Sequence, residues 1–533
     1  MTRFDRVTLF AVTALAALLR LPGIDARGTF DADQGHDMAT LVAFTRDGVV
    51  PLLGPKTSVG DFHHGAFYYF LLAPAAAISG GDPVAVTVFI ALLGIGAVAL
   101  TWWLAWAIGG PLAGMIAGVL LASSPAAIDE STFIWNPNPI GFFAVLALAA
   151  AWKGHAGAGV ASGRATAGWW ALAIGAAGAV TQLHVLGVVF LFAILALALI
   201  ETRRNRAALM GIVGGFAVLA VLFLPLLVYE LRHGFRETGL VLEYLRSGGG
   251  EVIGGGPASA VAISLLRITS WPLMGLFTDV PALAVILVVV VVALAAFGLL
   301  RARGAEATGL RWLVGILAWS TIALAFAAPS LQTVVPGLPN DHYHAFVDPI
   351  VIILIAVPSA GFLSRALASM RSTQSLGSRI AVIAIAADLM ALVAVTVIRT
   401  PPAVDPNGGW PAMQAAGKRI AVAAAGRPIA VWGLPTFKLP DAVVFPIEHA
   451  GGTVGGLPDL MGYHLGAGVI VVACDRLFEA AVGKPCGGSA EDAFVATPNS
   501  MGLPELEGVA QTLIERFDAS PRTSVSIYGV AKP

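Results

Sequence analysis

Charge is the scarcest resource in this chain. Only 12% of its 533 residues are Asp, Glu, Lys or Arg, against 57% hydrophobic, with a mean hydropathy of +0.83. That scarcity excludes a soluble protein over most of the length. Cysteine is scarce as well: Cys474 and Cys486 are the two present, so one intrachain disulfide is the most the chain can form. The formal net charge of −1 singles out no class of partner, and nucleic acid is not expected. No internal repeat of the kind that marks secondary transporters is present, nor any low-complexity tract beyond the Ala/Val/Leu bias of the apolar runs. The first apolar run has no small-residue cleavage site and ends in ARGTFDAD, so it is expected to remain as a membrane helix.

What is present is a series of long apolar runs separated by short charged or Pro/Gly segments. Runs of about 16 to 25 residues match the roughly 30 Å of hydrocarbon in a bilayer, which predicts a polytopic α-helical membrane protein. Eleven spans are expected, at 6–24, 84–108, 111–128, 138–153, 167–183, 185–201, 208–228, 281–300, 310–328, 345–364 and 380–398. The apolar stretches 64–79 and 258–277 fit better as helices lying in the outer interface, because each as a span would reverse the topology downstream. Arg3, Arg6, Lys153, Arg164, Arg203, Arg204, Arg206, Arg301, Arg303, Arg311, Arg365, Arg371 and Arg379 then fall on one side, with only Asp5, Glu201 and Glu306 as acids. Basic residues mark the cytoplasmic face. All histidines but His155, and most remaining membrane-region carboxylates, are therefore expected outside, where the chemistry should lie.

From about residue 400 the pattern changes to shorter alternating runs, PIAVWG (428–433), AVVFPI (442–447) and GVIVVAC (468–474). This predicts a soluble, extracytoplasmic α/β domain over 400–533, following a membrane domain over 1–399. In an oxidising compartment the two cysteines of that domain favour a disulfide over two free thiols.

The polar residues cluster in the loops. FDADQGHDM (30–38) places Asp31, Asp33 and Asp37 within one short stretch, and VPLLGPKTSVGD (50–61) and HHGAFYY (63–69) follow. A second loop reads DESTFIWNPNP (129–139), and QLH (182–184), PLLVYELRHGF (225–235) and NDHYHAFVDP (340–349) come later. The order and sidedness of these segments over residues 1–365 resemble the GT-C glycosyltransferases. The chain is similar to the dolichyl- or undecaprenyl-phosphate-sugar-dependent transferases that include protein O-mannosyltransferases and lipid A aminoarabinose transferases (glycosyltransferase family 39).

This resemblance implies a GT-C fold and an inverting transfer of a sugar, from a polyprenyl-phosphate carrier to a glycan, lipid or protein hydroxyl at the outer membrane face. It also implies an acid base in the first loop, and the matching position is Asp33. Gln34 stands where the family usually has a second acid. A carboxylate suits this role, since accepting the proton of a hydroxyl as the new bond forms is worth about 10²–10⁴-fold in rate. Asp37, one helical turn on, would share a face with Asp33 and could orient it, hold a metal or bind acceptor; Asp31 is the alternative base. The plainer reading of these acids is a helix cap in a wet loop.

The leaving lipid phosphate calls for cations. Lys56, Arg232, Arg236 and Arg267 are the outer-side candidates, with interfacial anchoring as the alternative. Asp33, His63 and His64 supply oxygen and nitrogen ligands suited to a divalent ion, or else His64 hydrogen-bonds substrate or backbone. In the second loop Glu130 or Asp129 corresponds to a family acid near the acceptor or metal. Trp135, Asn136 and Asn138 are types that read sugar rings and hydroxyls, or they form a Pro-stiffened turn. Tyr68 and Tyr69, Gln182 and His184, and His342 and Tyr343 complete the expected substrate-binding set, with interhelical packing as the alternative for Gln182 and His184. The Gly/Ala-rich, Arg-over-Lys composition suggests a bacterial plasma membrane and a decaprenyl or undecaprenyl carrier. A lipid-linked polysaccharide polymerase is the nearest enzymatic alternative, and a polytopic transporter the alternative of another class.

Overall fold

The structure is a computed structural model that describes residues 1–57, 60–157, 163–246, 256–334, 340–373, 376–455, 468–497 and 509–530. Its first part is a bundle of helices, here α1 (Arg3–Arg20), α2 (Ala32–Asp47), α3 (Phe67–Ser79), α4 (Pro83–Gly109), α5 (Pro111–Ser123), α6 (Ile140–Ala156), α7 (Gly163–Leu183), α8 (Val188–Thr202), α9 (Ala207–Leu222), α10 (Leu224–Arg232), α11 (Arg236–Arg246), α12 (Gly256–Met274), α13 (Pro281–Arg301), α14 (Gly304–Ala327), α15 (Asp348–Thr373) and α16 (Leu376–Ile398). Local chemistry sets many of the starts. Thr2 caps α1 in a reciprocal box with Asp5, and Pro stands at the first turn of α4, α5 and α13, where a missing N–H costs nothing.

Among the described residues six helical segments are long and apolar enough to cross a membrane: Pro83–Gly109, Val185–Thr202, Pro281–Arg301, Gly304–Ala327, Asp341–Met370 and Leu376–Ile398. The pair α9–α10, bent by 52°, adds a seventh when counted as one span. The other stretches expected to span are also helical, α5 and α6 being apolar but shorter. The stretches expected in the interface form α3 and α12. Leu18, Val213, Phe216, Val289 and Ile383 present exposed apolar side chains on the outside of the bundle, where a protein dissolved in water would carry polar ones. Small residues line the helix contacts: a Cβ at Gly118 would press on Val12 and Trp102, and one at Gly215 on Ile174.

The C-terminal part holds α17 (Gly409–Ala424), β1 (Ile429–Leu434), α18 (Asp441–His449), β2 (Val469–Asp475), α19 (Ser489–Val495), β3 (Gln511–Asp518) and β4 (Thr523–Val530). The four strands form one sheet in the order β1-β2-β4-β3, with β1 and β2 parallel and the other pairs antiparallel. Both faces of β1 and β2 are covered, which is why they read as unbroken apolar runs. Ile429, Val431, Val469 and Val471 join the main core, while Ala430, Trp432, Ile470 and Val472 face a second one with Ala490 and Val495. Cys474 and Cys486 are disulfide-bonded.

This sheet domain packs onto the first loop. Phe30 lies against Trp410 with ring centroids 4.7 Å apart. A Cβ at Gly35 would collide with the Asp441 carbonyl, so α2 and α18 touch backbone to backbone. Gly409, at φ 55°, approaches Gly28 in the same way.

Candidate active site

The first loop begins with a cap that aims α2. Asp31 Oδ1 accepts from the Ala32 amide at 2.7 Å, and Gln34 Oε1 accepts from the Asp31 amide at 2.8 Å. Gln34 Nε2 donates to the Ile134 carbonyl at 2.8 Å. The residue standing in place of an acid is thus a buried tie between the two polar loops. The cap starts a helix whose first turns carry Asp33, His36 and Asp37.

These residues open on a cavity of about 460 Å³. One wall is Ala32, Asp33, His36 and Asp37. The antiparallel pairing of 54–57 with 62–64, held by Gly54 and His64 through 3.0 and 2.9 Å backbone bonds, supplies Lys56, His63 and His64. Trp135 and Asn136 come from the second loop, His184 from the α7–α8 junction, and His342 and Tyr343 from the entry to α15. Ten of the residues singled out in the sequence, scattered from 33 to 343, therefore meet in one place: Asp33, Asp37, Lys56, His63, His64, Trp135, Asn136, His184, His342 and Tyr343.

The two acids of α2 differ sharply. Asp37 is buried and accepts from both Tyr68 and Tyr69 hydroxyls at 2.9 Å. Burial pushes its carboxyl up to about 8, although the phenols pull it down. The tyrosines lie behind Asp37 and are not part of the cavity wall. Asp33 has no hydrogen-bonding or ion-pairing partner among the described residues and opens into the cavity. Its accessible surface lies inside a protein-walled space, so desolvation, and then the neighbouring Asp31, raise it above the ordinary carboxylate range. A raised, unpaired carboxyl facing a cavity is suited to accept a proton near neutral pH.

Another part of the wall is made of rings. His64 and His184 have centroids 4.7 Å apart, His184 and Tyr343 4.8 Å, and Trp135 and His342 4.3 Å. Burial depresses the His64 imidazole to about 3 and pushes His184 well below its usual value, so both are neutral. Asn136 is fixed by its Nδ2 donating to the Leu183 carbonyl at 2.6 Å. Lys56 sits exposed at the mouth, 2.8 Å from Asp61.

The expected metal set does not come together. His63 is taken by Glu237, through its amide at 2.7 Å and its Nδ1 at 3.2 Å, and His64 Nδ1 accepts from the Val185 amide at 3.3 Å. Among the described residues no group of three or more His, Cys, Asp or Glu is arranged to hold a metal ion. Asp33, His63 and His64 thus do not fit a divalent cation.

Other expected site residues lie away from the cavity. Asn138 Nδ2 donates to the Phe133 carbonyl at 2.7 Å, closing the Pro-rich turn. Gln182 is buried beneath the hairpin, where a Cβ on Gly65 would strike its side chain. Arg232 is exposed at the end of α10, which is bent by 52° from α9, and is not on the cavity wall. Arg267 is buried in a bidentate pair with Asp341, at 2.9 and 2.6 Å, and is no free phosphate ligand. Glu130 accepts from Trp271 Nε1 at 3.1 Å, and burial with the nearby Asp348 pushes its carboxyl well up. Asp129 precedes it as the last residue of the short helix Pro125–Asp129, its carbonyl accepting from Thr132.

Sequence reasoning missed His36 of α2 and two further contributors. Tyr244 of α11 lines the cavity and packs edge-on to Phe62 at 5.8 Å. Phe437, Lys438 and Leu439, between β1 and α18, line it from the C-terminal domain. A lone lysine in the apolar run GLPTFKLP was the one available signal.

The sequence profile of the dolichyl-phosphate-mannose-protein mannosyltransferases matches residues 52–233. No curated protein sequence matches the chain. Among solved structures it is similar to ArnT from Cupriavidus metallidurans in the apo state, with 14% identity, 97% of each chain covered and a TM-score of 0.58. It is similar to the same protein bound to undecaprenyl phosphate, with 14% identity, 99% of this chain and 98% of that one, and a TM-score of 0.59. Arabinofuranosyltransferase AftD from Mycobacteria aligns with 16% identity over all of this chain and 42% of its own, at a TM-score of 0.50. This chain is a membrane protein with the fold of the GT-C glycosyltransferases.

Proposed function

We propose that the protein transfers a sugar from a polyprenyl-phosphate-linked donor to an acceptor hydroxyl on the extracytoplasmic face of a bacterial plasma membrane, with inversion at the anomeric carbon. The observation that carries this is Asp33: an unpaired carboxyl on a wall of a cavity that also presents Lys56 and a wall of neutral rings. The structural neighbour bound to undecaprenyl phosphate supports the class of carrier.

In this reading the acceptor oxygen attacks the anomeric carbon while its proton passes to Asp33. The bond from that carbon to the phosphate oxygen breaks on the opposite face, and polyprenyl phosphate departs with the electron pair. Lys56 at the mouth offsets the charge it gains. Trp135, Tyr343 and the imidazoles of His64, His184 and His342 flank the sugar ring, and Asn136 holds the turn that presents Trp135. Asp37, tied by two phenols, supports α2 behind the base. No step runs through a metal.

The test is transfer of radiolabelled sugar from a panel of polyprenyl-phosphate sugars, in membranes carrying the wild type or Asp33→Asn. Incorporation by the wild type from at least one donor, and its loss in a folded Asp33→Asn protein, is the expected result. Equal incorporation by both removes Asp33 from the reaction.

A further inference from the structure

Among the described residues the C-terminal domain reaches the cavity through one charged side chain. Lys438 stands on the loop between β1 and α18, and its Nζ donates to Asp31 Oδ2 at 3.0 Å and to Asp475 Oδ2. Arg522 of the β3–β4 turn joins the same two acids, 3.0 Å from Asp31 Oδ2 and bidentate to Asp475 at 2.8 Å. Asp31 is the cap of α2, so this knot is bolted to the turn that carries Asp33. Lys438, unlike Arg522, also lines the cavity itself.

We propose that Lys438 is a positioning residue for Asp33: through Asp31 it fixes the first turn of α2, and it keeps a positive charge beside the catalytic carboxyl. The C-terminal domain is then a working wall of the active site. The inference rests on the reading of Asp33 as the base.

The surroundings of Asp33 make the charge balance plain. From its own helix Asp31, Asp37 and His36 face it, and from the C-terminal domain Asp441, Lys438 and Arg522. Asp31 and Asp441 oppose its ionisation, and Lys438 is the strongest of the cations that favour it. Asp33 is raised even so. Without Lys438 it would rise further, and the proton acceptor would stay protonated up to a higher pH. The remaining carboxylates of Asp31 and Asp475 would also repel each other across the gap with only Arg522 between them.

The experiment uses the full-length protein reconstituted in liposomes and measures initial transfer rate against pH, with donor concentration varied, for the wild type, Lys438→Met, Lys438→Arg, Arg522→Met and Asp33→Asn. The midpoint of the acid limb is independent of how much protein folds. In Lys438→Met it should move to higher pH by on the order of one unit, the size expected for loss of a nearby opposite charge. Lys438→Arg should restore the wild-type limb. Arg522→Met, which cuts the same knot but removes a more distant charge that does not line the cavity, should move the limb by less than Lys438→Met does.

A Lys438→Met limb at the wild-type position, with Asp33→Asn inactive, overturns the inference and leaves the base intact. So does a rise in donor KM alone, which would make Lys438 a donor ligand, or an equal shift in both brace variants, which would make the effect structural. Full transfer by Asp33→Asn instead overturns the reading on which the inference rests.

Discussion

At the scale of single residues the site turns on two aspartates one helical turn apart that the protein treats in opposite ways. Asp33 is left free for chemistry and Asp37 is bound by Tyr68 and Tyr69. Asp33→Asn is therefore expected to lower transfer by about 10²–10⁴-fold, the usual worth of a positioned general base, measured as initial rate with saturating donor. The raised carboxyl also fixes a pH dependence. In the proposed reaction the base works only when ionised, so activity should fall as pH drops through a midpoint above the ordinary carboxylate value of about 4.

Asp37 makes a separate prediction about stability. Its folded carboxyl titrates near 8, above the unfolded value of 3.8, so between these the folded state holds a proton that the unfolded chain has released. The stabilisation that proton gives is complete at low pH and is lost as pH rises towards 8. Thermal unfolding midpoints in detergent should decline over that window, and Asp37→Asn should flatten the decline. An unchanged slope in the variant would assign the pH dependence to other groups.

At the scale of elements, α2 is the piece on which the site depends, and its packing is specified by absence of side chains. Gly35 lets α2 touch the backbone of α18. Gly35→Ala should cost about 1–3 kcal/mol by overpacking and reduce transfer by tilting Asp33 out of place, read by unfolding and by rate. Gly48, at φ 74° in open space beyond the end of α2, tests the other kind of glycine: there alanine meets no atom but must hold a left-handed backbone. The helices themselves were legible from the apolar runs, because a bilayer admits only helices or closed barrels and unbroken runs of this length fit the helix. The spacing of charges could not show the bend of 52° between α9 and α10, which falls where Pro225 opens α10.

At the scale of the whole molecule, the cavity is built from segments more than 400 residues apart in sequence. Its membrane-side half was readable because polar clusters such as DADQGHD, HH, WN, QLH and DHY are costly in lipid and so had to gather at an aqueous surface. The other half was not. Lys438 meets Asp31 across 407 positions, and nothing periodic in either segment announces that docking. Arg267 misled for a related reason: its partner Asp341 lies 74 residues away, so the sequence shows a lone cation where the fold has a closed pair. Removing residues 400–533 should accordingly abolish transfer even where the helical part remains inserted, since the deletion strips Phe437, Lys438 and Leu439 from the cavity and uncovers Gly35.

The most direct measurement of the central claim is a single turnover. Purified protein in liposomes would be mixed with a radiolabelled polyprenyl-phosphate sugar and acceptor, and label leaving the lipid would be followed alongside donor binding. The wild type should bind donor and release label to acceptor, while Asp33→Asn should bind donor equally and release none. Release by Asp33→Asn at the wild-type rate would contradict the account.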